Sequence, residues 1–349
     1  MSAGVLRPPY PPMEARLVEE LPQGPEWAYE PKWDGFRCLA FREGKSVELQ
    51  SKSGQSLTRY FPEVADTLRS VPARRFVLDG EIVVPVNGRL SFDDLLQRIH
   101  PAASRVQKLA REHPAQLVVF DLLMDGGGRI LAALPLRERR RRLEAFAAHE
   151  LDGIEGLRLS PASADIATAR KWLAMTGGTF DGVMAKRVDL EYRSGDRTGM
   201  EKIKRQRTAD CVVGGFRYAA SAPVVGSLLL GLYDAKGLLH HVGFTSGFSA
   251  AERQKLLTRL RPLVKPPGFT GRAPGGPSRW STKRSTEWEP LEPRLVAEVR
   301  YDHFTGGRFR HGTRFLRWRP DKKPRQCTMD QVTGGRRAGS AAARLVEPR

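Results

Sequence analysis

One lysine in this sequence is surrounded by residue types that could make it a nucleophile. Lys32 lies in the run Tyr-Glu-Pro-Lys-Trp-Asp-Gly-Phe-Arg at residues 29–37, just before an Asp-Gly pair. A free lysine amine has a pKa near ~10.4 and is mostly protonated at neutral pH. Burial or neighbouring cations would lower that pKa and free the lone pair for attack. For this run taken alone, a surface lysine before an Asp-Gly hairpin turn is the more frequent arrangement.

Two further segments place a carboxylate or an aromatic ring on an apolar strand. Glu81 lies within the strand-like run at residues 76–85, and a carboxylate buried there would need a metal ion or a cation as its partner. Phe120 lies in a second run rich in β-branched residues, at 117–123. An exposed ring there could stack on a nucleobase. A place in the hydrophobic core is the alternative for Phe120.

Basic residues gather in three later segments. Asp181 and Lys186 are five residues apart on one short strand. Lys202 and Lys204 alternate along the chain, so both ammonium groups lie on one face of a strand. The run Arg-Trp-Arg-Pro-Asp-Lys at residues 317–322 adds a further basic group near the C-terminus.

A lysine nucleophile, several cations and two carboxylates are the groups that phosphoryl or nucleotidyl transfer requires. Cations neutralise phosphate oxygens. The carboxylates can hold Mg²⁺, a hard ion that takes oxygen ligands. The sequence has no Walker A motif, so a P-loop is not the phosphate-binding element.

The elements that must position these groups fall into two parts of different composition. Over residues 1–207, short apolar runs alternate with helical stretches, among them a helix at 135–149 whose arginines at 137 and 139–142 are expected on a solvated face. Over residues 208–330, five short strands separated by glycines surround one helix, which is typical of a small closed β-barrel such as the OB-fold. Residues 265–285 are expected to form a long loop, and residues 331–349 a disordered tail.

The overall charge points to the class of partner. The chain has 349 residues, with 58 Lys and Arg against 39 Asp and Glu, and a formal charge of +19. Such an excess favours a polyanion through Coulombic attraction and counterion release, with nucleic acid ahead of an anionic membrane surface. A solubility adaptation in an arginine-rich proteome is the remaining interpretation.

The cysteines and the apolar runs argue against several other classes of protein. The three cysteines are far apart without Cys-x-x-Cys spacing, which disfavours both disulfides and a cysteine zinc site. The N-terminus has no secretion segment, and no run approaches 18 apolar residues. We therefore expect a cytoplasmic protein with reduced thiols and no membrane partner.

Taken in order, the motifs KWDGFR, LDGE, VFD, DGVMAK, KIK and RPDK resemble the motif series of covalent nucleotidyltransferases. They are most similar to those of ATP-dependent DNA ligases of the small bacterial ligase C type, over residues from about 10 to 330. Each motif alone is weak, whereas six in order are specific. The resemblance implies an α+β protein: an N-terminal nucleotidyltransferase (adenylation) domain with antiparallel sheets and helices, then a C-terminal OB-fold β-barrel.

The resemblance also implies the reaction and its participants. The enzyme would seal nicks in duplex DNA, with DNA repair as its expected role. It would do so in three steps: adenylylation of a lysine by ATP, transfer of AMP to a 5′-phosphate, and attack by a 3′-hydroxyl with release of AMP. The cofactors would be ATP and Mg²⁺, with Mn²⁺ as the alternative metal. A repair polymerase or primase is the expected partner protein. We expect a monomer, because no second chain is needed to complete the site.

The resemblance assigns roles to individual residues around the nucleotide. Lys32 would attack the α-phosphate and become the Lys–AMP phosphoramidate, while Glu30 would accept a hydrogen bond from the adenine amino group. Phe120 would stack on adenine. Arg37 would lie near the ribose or the nicked-strand phosphate, and Glu81 would contact the ribose or a metal ion.

The resemblance assigns the other cations to phosphate groups. Lys186 and Lys204 would hold the α-phosphate, with Lys202 on the same face. Arg319 and Lys322 would orient the pyrophosphate leaving group.

Three positions depart from the pattern of the family. Lys52, counted among the ATP-binding residues, stands where an arginine is common, and lysine cannot form the bidentate fork of arginine. Asp181, expected to assist metal binding, replaces a longer glutamate, which leaves room for a contact through water. Glu201 stands where many relatives have an apolar or aromatic residue.

Two other functions compete with this interpretation. RNA ligases and RNA-capping guanylyltransferases share the Lys-x-Asp-Gly motif. Glu30 favours adenine, because a carboxylate accepts from an amino group and repels the O6 acceptor of guanine; nothing in the motifs separates DNA from RNA. A non-enzymatic nucleic-acid-binding scaffold is the more remote alternative, since a scaffold has no need of the complete motif set.

Overall fold

The computed structural model describes residues 6–175, 180–204, 207–220, 222–275, 287–310 and 312–333. The chain divides into two compact units, and within the described residues the first ends at 204 and the second begins at 207. Each unit has its own hydrophobic core.

The first unit contains two main β-sheets. The five-stranded sheet has the order β4-β3-β5-β8-β9 and is antiparallel except for the last pair. Its strands are β3 (Phe36–Glu43), β4 (Ser46–Ser51), β5 (Arg75–Val83), β8 (Gln116–Met124) and β9 (Leu157–Leu159). The four-stranded sheet has the order β1-β11-β10-β2, with strands β1 (Arg16–Val18), β2 (Trp27–Trp33), β10 (Phe180–Arg187) and β11 (Met200–Lys204). A small hairpin pairs β6 (Pro85–Val86) with β7 (Arg89–Leu90).

Five helices accompany these sheets: α1 (Pro62–Ser70), α2 (Phe92–Gln97), α3 (Ala103–Glu112), α4 (Leu136–Phe146) and α5 (Ile166–Ala174). Side chains cap two of them. Ser91 accepts from the Asp94 amide at the start of α2, and Asp165 accepts from two amides at the start of α5. Such caps satisfy amides that have no partner within the helix.

Strand β5 separates the core of the first unit from the site. Its residues alternate in direction, so Phe76, Leu78 and Ile82 enter the hydrophobic core, while Asp79 and Glu81 face the opposite way. The strand is therefore buried on both faces, with an apolar face and a charged face. The sequence prediction of a strand over 76–85 is confirmed as far as residue 83, whereas Pro85 belongs to the hairpin strand β6. The acidic turn expected within it is not formed, because Asp79 and Gly80 continue the strand.

The arginine run on α4 was expected on a solvated face, and for Arg139 that expectation is wrong. Its side chain is only 2% exposed and makes two hydrogen bonds to Asp121, at 2.8 and 2.9 Å. The cause is helical spacing: Arg139 lies three residues after buried Leu136 and four before buried Leu143. Arg141, on the other side of the helix, is exposed as expected.

The second unit is built on an antiparallel sheet of order β14-β13-β12-β16-β19, with β15 beside β12. Its strands are β12 (Arg207–Tyr218), β13 (Val225–Tyr233), β14 (Leu239–Thr245), β15 (Glu289–Pro290), β16 (Val296–Tyr301) and β19 (Arg314–Trp318), with a separate hairpin of β17 (Phe304–Thr305) and β18 (Arg308–Phe309). The helices are α6 (Ala250–Leu260), which starts at a Ser249–Glu252 capping box, and α7 (Asp330–Thr333). The described strands do not form a closed barrel; a single parallel bridge joins Thr245 to Thr313.

Two irregular segments of the prediction are only partly described. The first residues of the expected tail, 331–333, belong to α7, where the Gln331 side chain bonds to the backbone of Asp210. Residues 334–349 lie outside the described part of the chain. The expected loop at 265–285 is described as far as residue 275, where it packs Phe269 against Gly214.

Two exclusions from composition can be compared with the structure. Cys38, Cys211 and Cys327 are buried free thiols. Among the described helices, none is both long enough and apolar enough to cross a membrane.

Candidate active site

Lys32 lies on a sheet that also carries three other predicted site residues. Gly182 of β10 pairs with Lys32 of β2 on one side and with Lys204 of β11 on the other. Two pairs further along, Met184 lies between Glu30 and Lys202. Gly182 allows the close approach of β11, because a Cβ there would stand 2.0 Å from a backbone oxygen of that strand. The sheet thus sets four functional side chains in two adjacent rows.

An aspartate joins two of these lysines. Oδ2 of Asp181 accepts from Lys32 Nζ at 2.7 Å and lies 2.9 Å from Lys204 Nζ. Burial alone would raise the pKa of Asp181, but the two ammonium groups hold it well below its usual range. Asp181 is therefore a carboxylate at any pH near neutrality.

The expectation of a lowered pKa for Lys32 is wrong for this arrangement. Burial does act in that direction, but the charges of Asp181 and Glu81 outweigh it and raise the pKa of the Lys32 amine. The prediction considered burial and nearby cations, but Asp181, 149 residues away in the chain, is in direct contact with the amine. Lys32 is therefore held protonated and aligned in this state.

Replacing Asp181 by asparagine should make Lys32 a more reactive amine. Without the aspartate charge, burial and the neighbouring lysines dominate, so the pKa of Lys32 falls and its neutral form appears at lower pH. The check is the pH dependence of Lys32 acetylation by acetic anhydride, followed by mass spectrometry. The profile should move to lower pH in Asp181→Asn and stay in place in Asp66→Asn, which alters an exposed pair on α1. An unmoved or upward-shifted profile in Asp181→Asn would contradict the assignment.

Glu30, Lys186 and Phe120 form a second group in the same cavity. Lys186 Nζ donates to Glu30 Oε2 at 2.7 Å, and both side chains are almost fully buried. The same ammonium stands 4.5 Å from the centre of the Phe120 ring. Arg140 approaches the other oxygen of Glu30 at 4.0 Å through Nη1, a buried nitrogen with no hydrogen-bond partner within the described residues. A cation therefore lies between the two side chains that were assigned to adenine.

Arg37 is held from behind by groups that the sequence argument did not identify. Its guanidinium bonds to both oxygens of Asp79, and the Tyr192 hydroxyl donates to Asp79 Oδ2 at 2.6 Å. The guanidinium also lies 4.6 Å from the centre of the Phe120 ring. Although its burial acts against the charge, Asp79 raises the pKa of Arg37. Arg37 is thus a fixed cation on the cavity wall.

Glu81 is the second carboxylate beside Lys32. Burial raises its pKa to about 7, against the opposing charges of Lys32 and Arg37. Burial destabilises the ionised form of this carboxylate, and an added cation nearby would stabilise that form. No three His, Cys, Asp or Glu side chains converge on a metal-like position in the described residues. Glu81 and Asp181, which both act on Lys32, are the predicted carboxylates that could hold a magnesium ion, since that ion takes one or two carboxylates and completes its shell with phosphate oxygens and water.

The predicted cations Lys52 and Lys202 lie at the rim of the same cavity. Lys52 pairs with Glu14 at 3.1 Å and remains more than half exposed. Burial, followed by the charges of Lys32 and Lys52, lowers the pKa of Lys202. The local excess of positive charge is the kind of field that binds a polyphosphate.

The cavity gathers most of the residues predicted from sequence. Its volume is about 210 Å³. Predicted site residues in its lining are Glu30, Lys32, Arg37, Lys52, Glu81, Phe120, Lys186 and Lys202. Asp181 and Lys204 adjoin it through their contacts with Lys32.

Arg319 and Lys322 belong to the second unit, and there they share one partner. Asp210, which is only 7% exposed, accepts from Arg319 Nη1 at 2.9 Å and from Lys322 Nζ at 2.6 Å. Asp321 forms a further, exposed pair with Arg319. The two predicted cations thus form one ion-paired group within their unit.

Several residues of these networks, Tyr192 and Arg140 among them, were missed from sequence. Asp79 carried a usable signal, because it lies two positions before Glu81 on the same strand and so shares its face. Asp121 and Arg139 had none beyond their charges, since only the fold brings them together. Asp210 gave no signal, because it lies beside a run of apolar residues on β12.

Comparisons with known proteins match most of this chain. The family model described as ATP dependent DNA ligase domain matches residues 12–204, and the one described as ATP dependent DNA ligase C terminal region matches residues 221–322. DNA ligase C2 of Mycolicibacterium smegmatis is 45% identical over 342 residues, covering 93% of this chain and 94% of that protein.

Two other similarities are more distant. The multifunctional non-homologous end joining protein LigD of Pseudomonas aeruginosa is 32% identical over 349 residues, which cover 96% of this chain and 39% of that protein. A solved structure from a structure-function analysis of Lig E DNA ligases is 16% identical, with a TM-score of 0.53 over 84% of this chain and 93% of that one. The last similarity concerns the fold alone.

Proposed function

The chain belongs to the family of ATP-dependent DNA ligases, and from this we propose that it seals nicks in duplex DNA through an AMP carried on Lys32. The observation that carries the assignment is the cavity in which Lys32, two carboxylates and several cations meet. This is the set of groups needed to bring a nucleophile and a polyphosphate together and to neutralise the charge that develops on the phosphate.

In the first step, the Lys32 ammonium gives up one proton to solvent to become a neutral amine, and a second as Nζ forms its bond to the α-phosphorus of ATP. The bond from that phosphorus to the pyrophosphate oxygen breaks, and pyrophosphate leaves. Asp181 aligns the amine beforehand, as the 2.7 Å contact supports. Lys204, on the same carboxylate, is placed to neutralise the α-phosphate oxygens.

Adenine is proposed to bind between Phe120 and Glu30. In the described state the Lys186 ammonium lies between these two side chains. Entry of the base therefore displaces Lys186 from Glu30, and the freed ammonium can turn to the α-phosphate. Glu30 then accepts from the adenine amino group, while Arg140 stays beside its other oxygen and keeps the buried carboxylate compensated.

The rest of the cavity wall is assigned to the ribose, the phosphates and the metal. Arg37 is proposed to contact the ribose or the phosphate of the nicked strand, and Lys52 and Lys202 the phosphates. Glu81 and Asp181 would hold Mg²⁺, or Mn²⁺ in its place. When bound, the metal supplies positive charge beside the reacting phosphate.

The finer domain description is also a proposal. We infer an adenylation domain over residues 1–207 and an OB-fold domain over 208–330. The strand order β14-β13-β12-β16-β19 and the bridge between Thr245 and Thr313 support a barrel, because this bridge links the last residue of β14 to the residue just before β19 at the other end of the sheet. Arg319 and Lys322 of this domain would orient the leaving pyrophosphate.

The substrate is proposed to be nicked double-stranded DNA, used in repair by a monomer. The formal charge of +19 supports binding to the phosphate backbone without sequence readout. A repair polymerase or primase is the proposed partner protein, since the matched part of LigD belongs to a longer end-joining protein. RNA ligation is the second candidate for the same site.

The decisive experiment follows labelled AMP onto the protein and then onto nucleic acid. After a pyrophosphate wash that removes bound AMP, the protein is incubated with Mg²⁺ and α-labelled ATP or GTP and run on a denaturing gel. Label is expected from ATP, at least about tenfold above that from GTP, and chelation of the metal with EDTA should prevent it. The labelled protein should then seal a nicked DNA duplex faster than a nicked RNA duplex.

Each contrary result of this experiment would favour one of the alternative functions. Preferred labelling by GTP would indicate a capping-type enzyme, and preferred sealing of RNA would indicate an RNA ligase. Absence of label after the wash would overturn the proposed reaction and favour the scaffold.

A further inference from the structure

Asp210 connects the two cations that the proposed function assigns to the leaving pyrophosphate. We propose that Asp210 is a positioning residue for the adenylylation step, which sets Arg319 and Lys322 side by side so that they bind pyrophosphate together. This inference rests on the proposed function. It concerns a residue outside the motifs that carry the family resemblance.

The contacts fix the relative position of the two cations. Each oxygen of the Asp210 carboxylate takes one of them, Arg319 at 2.9 Å and Lys322 at 2.6 Å. Two like charges held this close repel each other unless a carboxylate lies between them. Without Asp210, the long side chains would separate and lose the shared geometry that a polyphosphate needs.

Asp210 itself is rigidly placed. It lies on β12, paired with Glu298 of β16, and only 7% of its surface is exposed. The Gln331 side chain accepts from its backbone N–H and donates to its carbonyl, at 3.1 and 3.2 Å. A carboxylate fixed at the backbone and buried is suited to hold other groups in place, since it has few conformations of its own.

Asp321 differs from Asp210 in ways that make it the replaceable partner. Its side chain is 62% exposed and contacts Arg319 alone of the two cations, two residues away in the chain. A phosphate oxygen could take its place on Arg319 at little cost, because exposed ion pairs are weak. Asp210 would remain bound behind both cations.

The test compares two half-reactions of the full-length protein. Asp210→Asn should slow the formation of labelled Lys–AMP at least about tenfold, since hydrogen bonds to charged groups are lost. It should also raise the pyrophosphate concentration needed to release AMP from the adenylylated protein. Sealing of a nick that already carries 5′-AMP involves no pyrophosphate and should stay within about twofold of the unchanged protein. Glu292→Gln, which removes a surface pair in the same unit, is the matched control.

A second variant tests whether Asp210 acts through the cations. If it does, the double variant Asp210→Asn with Lys322→Gln should be slowed in adenylylation by a factor smaller than the product of the two single-variant factors. Equal losses of Asp210→Asn in both half-reactions would indicate a merely structural role and overturn the proposal. An unchanged adenylylation rate in this variant would overturn it too. Failure of the unchanged protein to take up label would instead count against the proposed function.

Discussion

Replacing Lys32 by alanine is expected to abolish the transfer of AMP from ATP to the protein. The Lys32 amine is the group proposed to form the bond to the α-phosphorus, and it is the one lysine of β2. Loss of a covalent nucleophile typically lowers a rate by at least about 10³-fold. The measurement is the rate of label incorporation from α-labelled ATP, with nick sealing from ATP followed in parallel.

The same variant should retain one activity, and that makes the prediction specific. A nick that already carries 5′-AMP has no need of the lysine adduct, so Lys32→Ala should still seal it. Lys45→Ala, in the exposed turn after β3, is the control and should behave as the unchanged protein in both assays. Normal labelling of Lys32→Ala would show that the AMP is carried elsewhere.

The second large effect concerns stability, and it follows from the buried pair of Arg139 and Asp121. Arg139→Ala should lower the free energy of unfolding of the first unit by about 3–5 kcal/mol, because it leaves the Asp121 carboxylate buried without its partner. For a unit of this size, that corresponds to a fall in Tm of roughly 10 °C. Thermal unfolding measured by calorimetry or circular dichroism checks it.

Two further variants show that burial is the reason. Arg141→Ala, on the exposed side of the same helix, removes a surface pair and should change the free energy of unfolding by less than about 1 kcal/mol. The double change Arg139→Met with Asp121→Leu should be less destabilising than Arg139→Ala, since it removes both charges. A large effect of Arg141→Ala, or none of Arg139→Ala, would refute this account.

The elements that carry the site were largely predictable, because their signals are local. The apolar run around Glu81 and the alternation of Lys202 and Lys204 predicted strands, and these strands are present. The resemblance implied that the named residues surround one nucleotide, and the cavity brings most of them together. A motif lists the residues of a site without stating which of them touch.

What failed to follow from the sequence depends on contacts between distant segments. Lys32 was expected to have a lowered pKa, and Asp181 reverses the direction. Arg139 was placed on a solvated face because five arginines within six residues suggest solvent, yet one of them faces Asp121 in the interior. In both cases a pair of opposite charges, far apart in the chain, decides the outcome, and local composition carries no information about such pairs.

The pairing of β2 with β10 has a consequence for how the protein matures during synthesis. The nucleophile lies near the start of the chain, but its strand finds its neighbour in the sheet only when residues 180–187 have been made. Until then β2 lacks the strand with which it pairs in the sheet, and Lys32 lacks the aspartate that aligns it. Contacts of such long range form late and slowly. A nascent chain that stops short of β10 would therefore carry the lysine without a working centre, so ATP would not be consumed by unfinished copies on the ribosome.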